Sequence, residues 1–132
     1  MKLLADTSAL LALLLADDQH HGAAASFVRK SPQARFVMTE LILAEVVTRV
    51  RARADAARAV AIANDLLRSR RYEIVLLDAE LLRGALAQMA RFADKRLSLA
   101  DCASFEIIEK LGLSGAFTFD RDFRDCGFRM LP

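Results

Sequence analysis

A chain of 132 residues is long enough for one domain that buries about two-thirds of the surface its unfolded form exposes, and too short for a second. Hydrophobic residues make up 55% and charged residues 27% of it, which excludes the weakly apolar, highly charged composition of disordered chains. The 19 Lys and Arg against 17 Asp and Glu leave a formal charge of +2, so a nucleic-acid partner has to be argued from local arrangement rather than from overall charge. Cys102 and Cys126 have neither metal-ligand spacing nor the density of a disulfide scaffold, and both are expected to be reduced. Asp6 inside the first hydrophobic stretch argues against a signal peptide, and the run Ala9–Ala16 is too short to span a bilayer. A cytoplasmic protein without a membrane partner is expected.

In chain order, Leu3-Leu4-Ala5 has the continuous apolar character of a strand buried on both faces, and Asp6 falls where it ends. Ala9–Ala16 reads as a helix. His21–Lys30 is a second helix, stopped by Ser31-Pro32, and Phe36-Val37-Met38 is a second strand. Thr39 caps a helix that reaches about Arg53, and Asp55–Arg70 is a further amphipathic helix. Glu73-Ile74-Val75-Leu76-Leu77 is the most strand-like run, followed by a helix over Ala79–Ala93. Ser98 opens the last long helix, which ends near Gly112; Phe117-Thr118-Phe119 is a strand ending on Asp120, and Phe128–Leu131 is a fifth strand at the edge. Strands separated by helices pair in parallel through right-handed crossovers. The prediction is a single domain over residues 1–132, an α/β open three-layer αβα sandwich around a mainly parallel sheet of four or five strands.

Open parallel sheets take ligands at the carboxyl ends of their strands, where Asp6 and Asp120 are both expected. Each also suits the ordinary role of an acid that starts a turn or caps a helix. Glu45 is the only charged residue in Leu41-Ile42-Leu43-Ala44-Glu45-Val46-Val47. A buried carboxylate there is costly without a cation or hydrogen bonds, and the competing reading is a solvated i,i+4 pair with Arg49. Asp101 completes a Ser-x-x-Asp capping box with Ser98, yet it also begins the stripe continued by Phe105 and Ile108, which points a carboxylate inward at the first turn of a helix. Carboxylates gathered in one cleft repel unless a hard cation joins them. Mg²⁺ or Mn²⁺ suits oxygen ligands while leaving room for water and a substrate phosphate, and the chemistry implied is metal-assisted phosphodiester hydrolysis without a covalent nucleophile.

Asp6-Thr7-Ser8-Ala9-Leu10 after the first strand, Glu45 in Leu-Ala-Glu-Val-Val, Leu97-Ser98-Leu99-Ala100-Asp101, and Phe117-Thr118-Phe119-Asp120-Arg121-Asp122-Phe123 occur in that order. Together they resemble the PIN-domain nucleases over essentially the whole chain, and the short single-domain length resembles the VapC-type toxins of toxin–antitoxin pairs. The resemblance implies that Asp6, Glu45, Asp101 and Asp120 are the catalytic, metal-holding acids. It places Ser8 and Thr118 as hydrogen-bonding supports and Asp122, at a variable position of the family pattern, as an outer ligand. It also implies Mg²⁺ or Mn²⁺ dependence, endonucleolytic cleavage of RNA, a homodimer, and a cognate antitoxin that blocks the cleft.

Of the basic residues Arg49, Arg51, Arg53, Lys95, Arg96, Arg121 and Arg124, the pair Lys95-Arg96 directly before the Ser98 cap is the best placed for an RNA phosphate. Arg49, Arg51 and Arg53 do not share one helical stripe and read mostly as solvated surface. The segment Asp120–Asp125 lacks the Gly and distal Glu of a calcium loop, and the adjacent His20 and His21 cannot share a helix face for zinc. Phe117, Phe119, Phe123 and Phe128 read as core rather than base-stacking residues. A DNA-directed nuclease or a phosphatase on similar acids is the competing enzymatic reading, although no second Asp stands two residues after Asp6 as an aspartyl-phosphate phosphatase requires. A receiver-like interaction domain with Asp78 as phosphoacceptor lacks the acidic pair after the first strand and the Lys after Phe117–Phe119. Ala9–Ala16 and Asp55–Arg70 are expected to leave apolar faces for a two-fold partner and an antitoxin.

Overall fold

Leu3, Leu4 and Ala5 are fully buried in β1 (Lys2–Ala5), the strand around which the sheet is laid. The computed structural model describes residues 1–132. After β1 come α1 (Thr7–Leu14), α2 (His21–Lys30), β2 (Arg35–Thr39), α3 (Glu40–Arg53), α4 (Ala56–Arg68), β3 (Tyr72–Val75), α5 (Ala79–Arg91), α6 (Leu99–Leu111), β4 (Ala116–Phe117), α7 (Arg121–Asp125) and β5 (Met130–Leu131). All five strands run parallel in the order β3-β2-β1-β4-β5. α1 packs on α2 and α3, and α3 on α4, while α5 and α6 pair with each other and α6 lies against β1 and β2. This is the three-layer αβα sandwich expected, with its core built on Phe36, Phe105, Phe117 and Phe123. No helix is long and apolar enough to cross a membrane.

The topology fixes where a ligand site belongs. From β1 the sheet grows through β2 to β3, and the connection through α5 and α6 then carries the chain back to the other side of β1 for β4. That reversal opens a crevice between the loops following β1 and β4, the switch point at which open α/β sheets bind ligands. Asp6 follows β1 directly and Asp120 lies in the loop after β4.

Element ends depart from the sequence reading for identifiable reasons. α1 begins at Thr7 rather than Ala9 because the Asp6 carboxylate caps it through the Ser8 N–H. Its residues Thr7, Ala9, Leu10, Leu11 and Ala12 are buried, so the uncovered apolar face expected of Ala9–Ala16 is not there. α4 does expose Val60 and Leu67. The run Glu73–Leu77 is an edge strand over Tyr72–Val75 only: Leu76 is 70% exposed, and the Leu77 N–H turns away to the Glu40 carboxylate. β4 stops at Phe117 because the Phe119 N–H donates to Ser8 Oγ instead of to a strand. β5 is confined to Met130–Leu131, and α7 is a short helix that apolar periodicity does not signal. Phe117 and Phe123 are core as expected, whereas Phe119 and Phe128 are half-buried and stack on His20 at 4.4 Å and on Phe105 at 4.5 Å. Cys102 and Cys126 are buried free thiols.

Gly115, directly before β4, has φ 153, and a Cβ there would lie 2.7 Å from the Arg129 carbonyl oxygen. Gly115→Ala is therefore expected to destabilise the fold by about 2–3 kcal/mol in urea unfolding. Gly112→Ala, with φ 61 but open space around it, should cost about 1 kcal/mol. Equal losses at the two positions would show that the close approach of β4 to β5 does not dictate Gly115.

Candidate active site

The crevice holds a cavity of about 290 Å³ lined by Asp6, Thr7, Ser8, Glu45, Arg49, Ser98, Asp101 and Asp120, with no apolar side chain on its wall. The four acids singled out in the sequence thus meet from the end of β1, the middle of α3, the first turn of α6 and the start of α7.

Asp6 is only 6% exposed. Its Oδ2 accepts from Ser8 Oγ at 2.8 Å and Thr118 Oγ1 at 2.9 Å, and more weakly from the Ser8 N–H at 3.4 Å. Both hydroxyl oxygens are themselves acceptors: Ser8 Oγ from the Phe119 N–H and Thr118 Oγ1 from the Asp120 N–H, each at 3.0 Å. With their acceptor side occupied by backbone, the hydroxyls turn their protons to the carboxylate. Ser8 and Thr118 thus hold Asp6 Oδ2 between them, and Asp6 Oδ1 is left with no partner in the chain.

The other acids follow the same division of labour. Glu45 Oε2 accepts from Thr7 Oγ1 at 2.6 Å, and the i,i+4 ion pair with Arg49 that a solvated surface would favour is not made. Asp101 Oδ2 accepts from the Ser98 N–H while the Asp101 N–H donates to Ser98 Oγ, both at 3.0 Å, which closes the capping box. Asp120 Oδ1 accepts from the Asp122 N–H at 2.9 Å and caps α7. Capping leaves room for a ligand, because Asp6, Asp101 and Asp120 each commit one oxygen at a helix N-terminus and keep the second.

Burial lifts the Asp6 carboxyl from 3.8 to about 6, against the lowering effect of the Ser8 and Thr118 hydroxyls and with help from the charges of Asp101 and Asp120. Burial also raises Asp101, opposed by its hydrogen bonds to Ser98 and reinforced by Asp120 and Glu45. The acids thus raise one another's affinity for a proton, and a bound cation would relieve that repulsion. No three of the acids are arranged to close on an ion by themselves. The space between them suits Mg²⁺, which keeps several waters and takes one or two carboxylates together with substrate phosphate. A wall of oxygen donors with no His or Cys fits Mg²⁺ or Mn²⁺ better than a softer metal.

Some expected residues sit elsewhere. Asp122 supports Asp120 through its backbone N–H, but its carboxylate is not on the cavity wall. Lys95 and Arg96 are off the wall too, and Lys95 lies near enough to Cys126 for its charge to act on that thiol. Asp78 is the exposed N-cap of α5, away from the cavity. The wall includes three residues that sequence reasoning did not assign to it, Thr7, Arg49 and Ser98, the last read only as a helix cap. Thr7 is signalled only by lying between Asp6 and Ser8, and Arg49 by standing one helical turn after Glu45.

Because the folded Asp6 carboxyl titrates above its unfolded value, its contribution to ion-free stability is present below about pH 4 and lost as pH rises through about 6. The loss is on the order of 3 kcal/mol. In EDTA, Asp6→Asn should unfold at a higher temperature than wild type at pH 7.5, and the difference should shrink as pH falls from 6 to 4. A difference independent of pH across that window would remove Asp6 as the group responsible.

The sequence pattern of the PIN domain family matches residues 3–129. The protein named "23S rRNA-specific endonuclease VapC20" of Mycobacterium tuberculosis (strain ATCC 25618 / H37Rv) is 33% identical over 124 residues, which is 93% of this chain and 92% of that protein. Its counterpart from strain CDC 1551 / Oshkosh matches to the same extent. The crystal structure of M. tuberculosis VapC20, described as a sarcin-ricin loop cleaving toxin, has a similar fold, with a TM-score of 0.87 at 28% identity and 96% of each chain covered. With the acids gathered at the β1/β4 switch point and the match running almost from end to end, this chain belongs to the PIN-domain family.

Proposed function

We propose that this chain is a metal-dependent endoribonuclease of the VapC type, which hydrolyses a phosphodiester bond in a structured RNA and acts as the toxin of a toxin–antitoxin pair. The observation that carries the reading is the convergence of Asp6, Glu45, Asp101 and Asp120 from four separate segments into one apolar-free cavity at the switch point. The likeness to VapC20, described as a 23S rRNA-specific endonuclease, favours RNA over DNA and makes the sarcin-ricin loop the first substrate to try.

When bound, Mg²⁺ or Mn²⁺ would be held by Asp6, Glu45, Asp101 and Asp120 and would supply positive charge for the phosphoryl oxygens and lower the pKa of water there. The chain's own contribution is placement. Asp6 Oδ1 is fixed by the hydroxyls that grip Oδ2, and Asp101 and Asp120 are fixed by their helix caps. Thr7 orients Glu45 through Oε2, leaving Oε1 as an acceptor for a water proton. The Ser8 oxygen accepts from the Phe119 N–H while its proton goes to Asp6, so its partners are structural and water fits better as the attacking group.

The same reading extends to partners. Val60 and Leu67 on α4 and Leu82 and Leu86 on α5 remain exposed, which supports a homodimer and an antitoxin that covers apolar surface. An antitoxin guanidinium would pair with the free carboxylate oxygens and block the cavity. The free thiols of Cys102 and Cys126 suit the reducing cytoplasm.

The test is a purified protein given an RNA bearing the sarcin-ricin loop, a scrambled loop and the matching DNA, with Mg²⁺, Mn²⁺ or EDTA. A single cut in the loop RNA that needs the metal is expected, with Asp6→Asn and Asp101→Asn at background. Ser8→Ala should lose about 10- to 100-fold, and Asp120→Asn more than Asp122→Asn. Undiminished cutting by both Asp6→Asn and Asp101→Asn would overturn the assignment. Induction of the wild type in a bacterial host should arrest growth, reversed by co-expression of the small protein encoded beside it; normal growth under the active enzyme would remove the toxin role and leave the nuclease.

A further inference from the structure

Arg49 is the only cationic side chain on the wall of the acid cavity. It is exposed and makes no ion pair or side-chain hydrogen bond, although Glu45 stands one turn before it on α3. An arginine in that position ordinarily pairs with the acid; here Thr7 occupies Glu45, and the guanidinium stays free at the edge of a strongly anionic hollow.

Arg49 also belongs to a second cavity, of about 270 Å³, with Leu11, Leu15, Ala52 and Arg53 on its wall. Leu15 and Arg53 in turn line a third, of about 290 Å³, that reaches Arg58. The first and second hollows share Arg49 and the second and third share Leu15 and Arg53, so the row of hollows traces a groove from the acids past the end of α1 and the C-terminal half of α3 toward the start of α4. Beyond the acids Leu11, Leu15, Ala16, Ala52 and Ala54 share its lining with the cations, which recur along it: Arg49 and Arg53 are one turn, about 6 Å, apart on α3. That interval is of the order of the spacing between successive phosphates in an extended strand. Arg53 is held by Asp17 at 2.6 Å and Arg58 by the Leu14 carbonyl at 3.3 Å. The groove's other acid, Asp18, is engaged by the His20 N–H at 2.8 Å. Arg49 alone is uncommitted.

Resting on the nuclease reading of the acid cavity, we infer that this groove is a subsite for the phosphodiester backbone of single-stranded RNA beside the scissile bond, with Arg49 as its first phosphate contact. Cations at this interval match the repeating phosphates of a sugar–phosphate strand. Arg49 then binds substrate and does no chemistry on it.

The experiment measures binding of a labelled sarcin-ricin-loop RNA to the full chain in EDTA, over a range of salt concentrations, for wild type, Arg49→Ala and Arg49→Lys, with melting temperature as the check on folding. Arg49→Ala should weaken binding about tenfold and reduce the slope of log affinity against log salt by about 0.7–0.9. Arg49→Lys should recover most of the slope. With metal, kcat/KM of Arg49→Ala should fall by a similar factor through KM. Unchanged affinity and slope would overturn the subsite, as would a fall in kcat at constant KM, which would place Arg49 in the chemical step. So would wild-type RNA binding combined with lost capture of the co-expressed antitoxin, which would give the groove to protein. If the wild type cuts no RNA, the nuclease reading fails by itself, and the salt slope in EDTA still decides whether the groove binds RNA.

Discussion

Thr118 Oγ1 and Ser8 Oγ both donate to Asp6 Oδ2, and the first of these bonds joins residues 112 positions apart. The contact ties the loop after β4 to the end of β1 at the place where the sheet reverses direction. The Phe119 and Asp120 N–H groups complete it by donating to the two hydroxyls, so the backbone that delivers Asp120 is positioned by the same atoms that hold Asp6. A buried acid among other acids is unfavourable in isolation. This one is kept in place because its hydrogen bonds also close the crevice, and removing them would cost the loop its path as well as the carboxylate its partners.

Three of the acids lie at helix N-termini: Asp6 at α1, Asp101 in the first turn of α6 and Asp120 at α7. Each helix start favours a nearby negative charge by about 0.3–1 kcal/mol, an electrostatic contribution of the backbone that partly offsets the mutual repulsion. Glu45 has no such help. It sits in mid-helix and relies on a single hydroxyl from Thr7. The side chains of the site are therefore oriented by structural hydrogen bonds within the chain itself.

Much of this was readable from residue types. Leu3-Leu4-Ala5 ending on Asp6, the Ser98 and Asp101 box, and the lone charge of Glu45 in an apolar helix each carry a local signature, and local signatures survive into the fold. What was not readable depends on distant partners. Glu73–Leu77 is apolar enough for a central strand, but β3 lies at the sheet edge, and no local pattern distinguishes the two. Phe117-Thr118-Phe119 has the alternation of a strand, yet its last residue is recruited by Ser8 from the other end of the chain. Arg49 resembled any surface arginine, because its distinction is the absence of a pairing that only the Thr7 to Glu45 bond explains.

β4 is two residues long and is held between β1 and β5, with the Thr118 N–H donating to the Leu131 carbonyl at 3.0 Å. A nascent chain that has folded β1, β2 and β3 has nothing to place beside the open edge of β1, and it holds only Asp6 and Glu45 of the acid set. Contacts over such sequence separations form late. A ribosome making this protein therefore carries an incomplete acid cluster until Asp120, and the residues of β5 that hold β4, have been added.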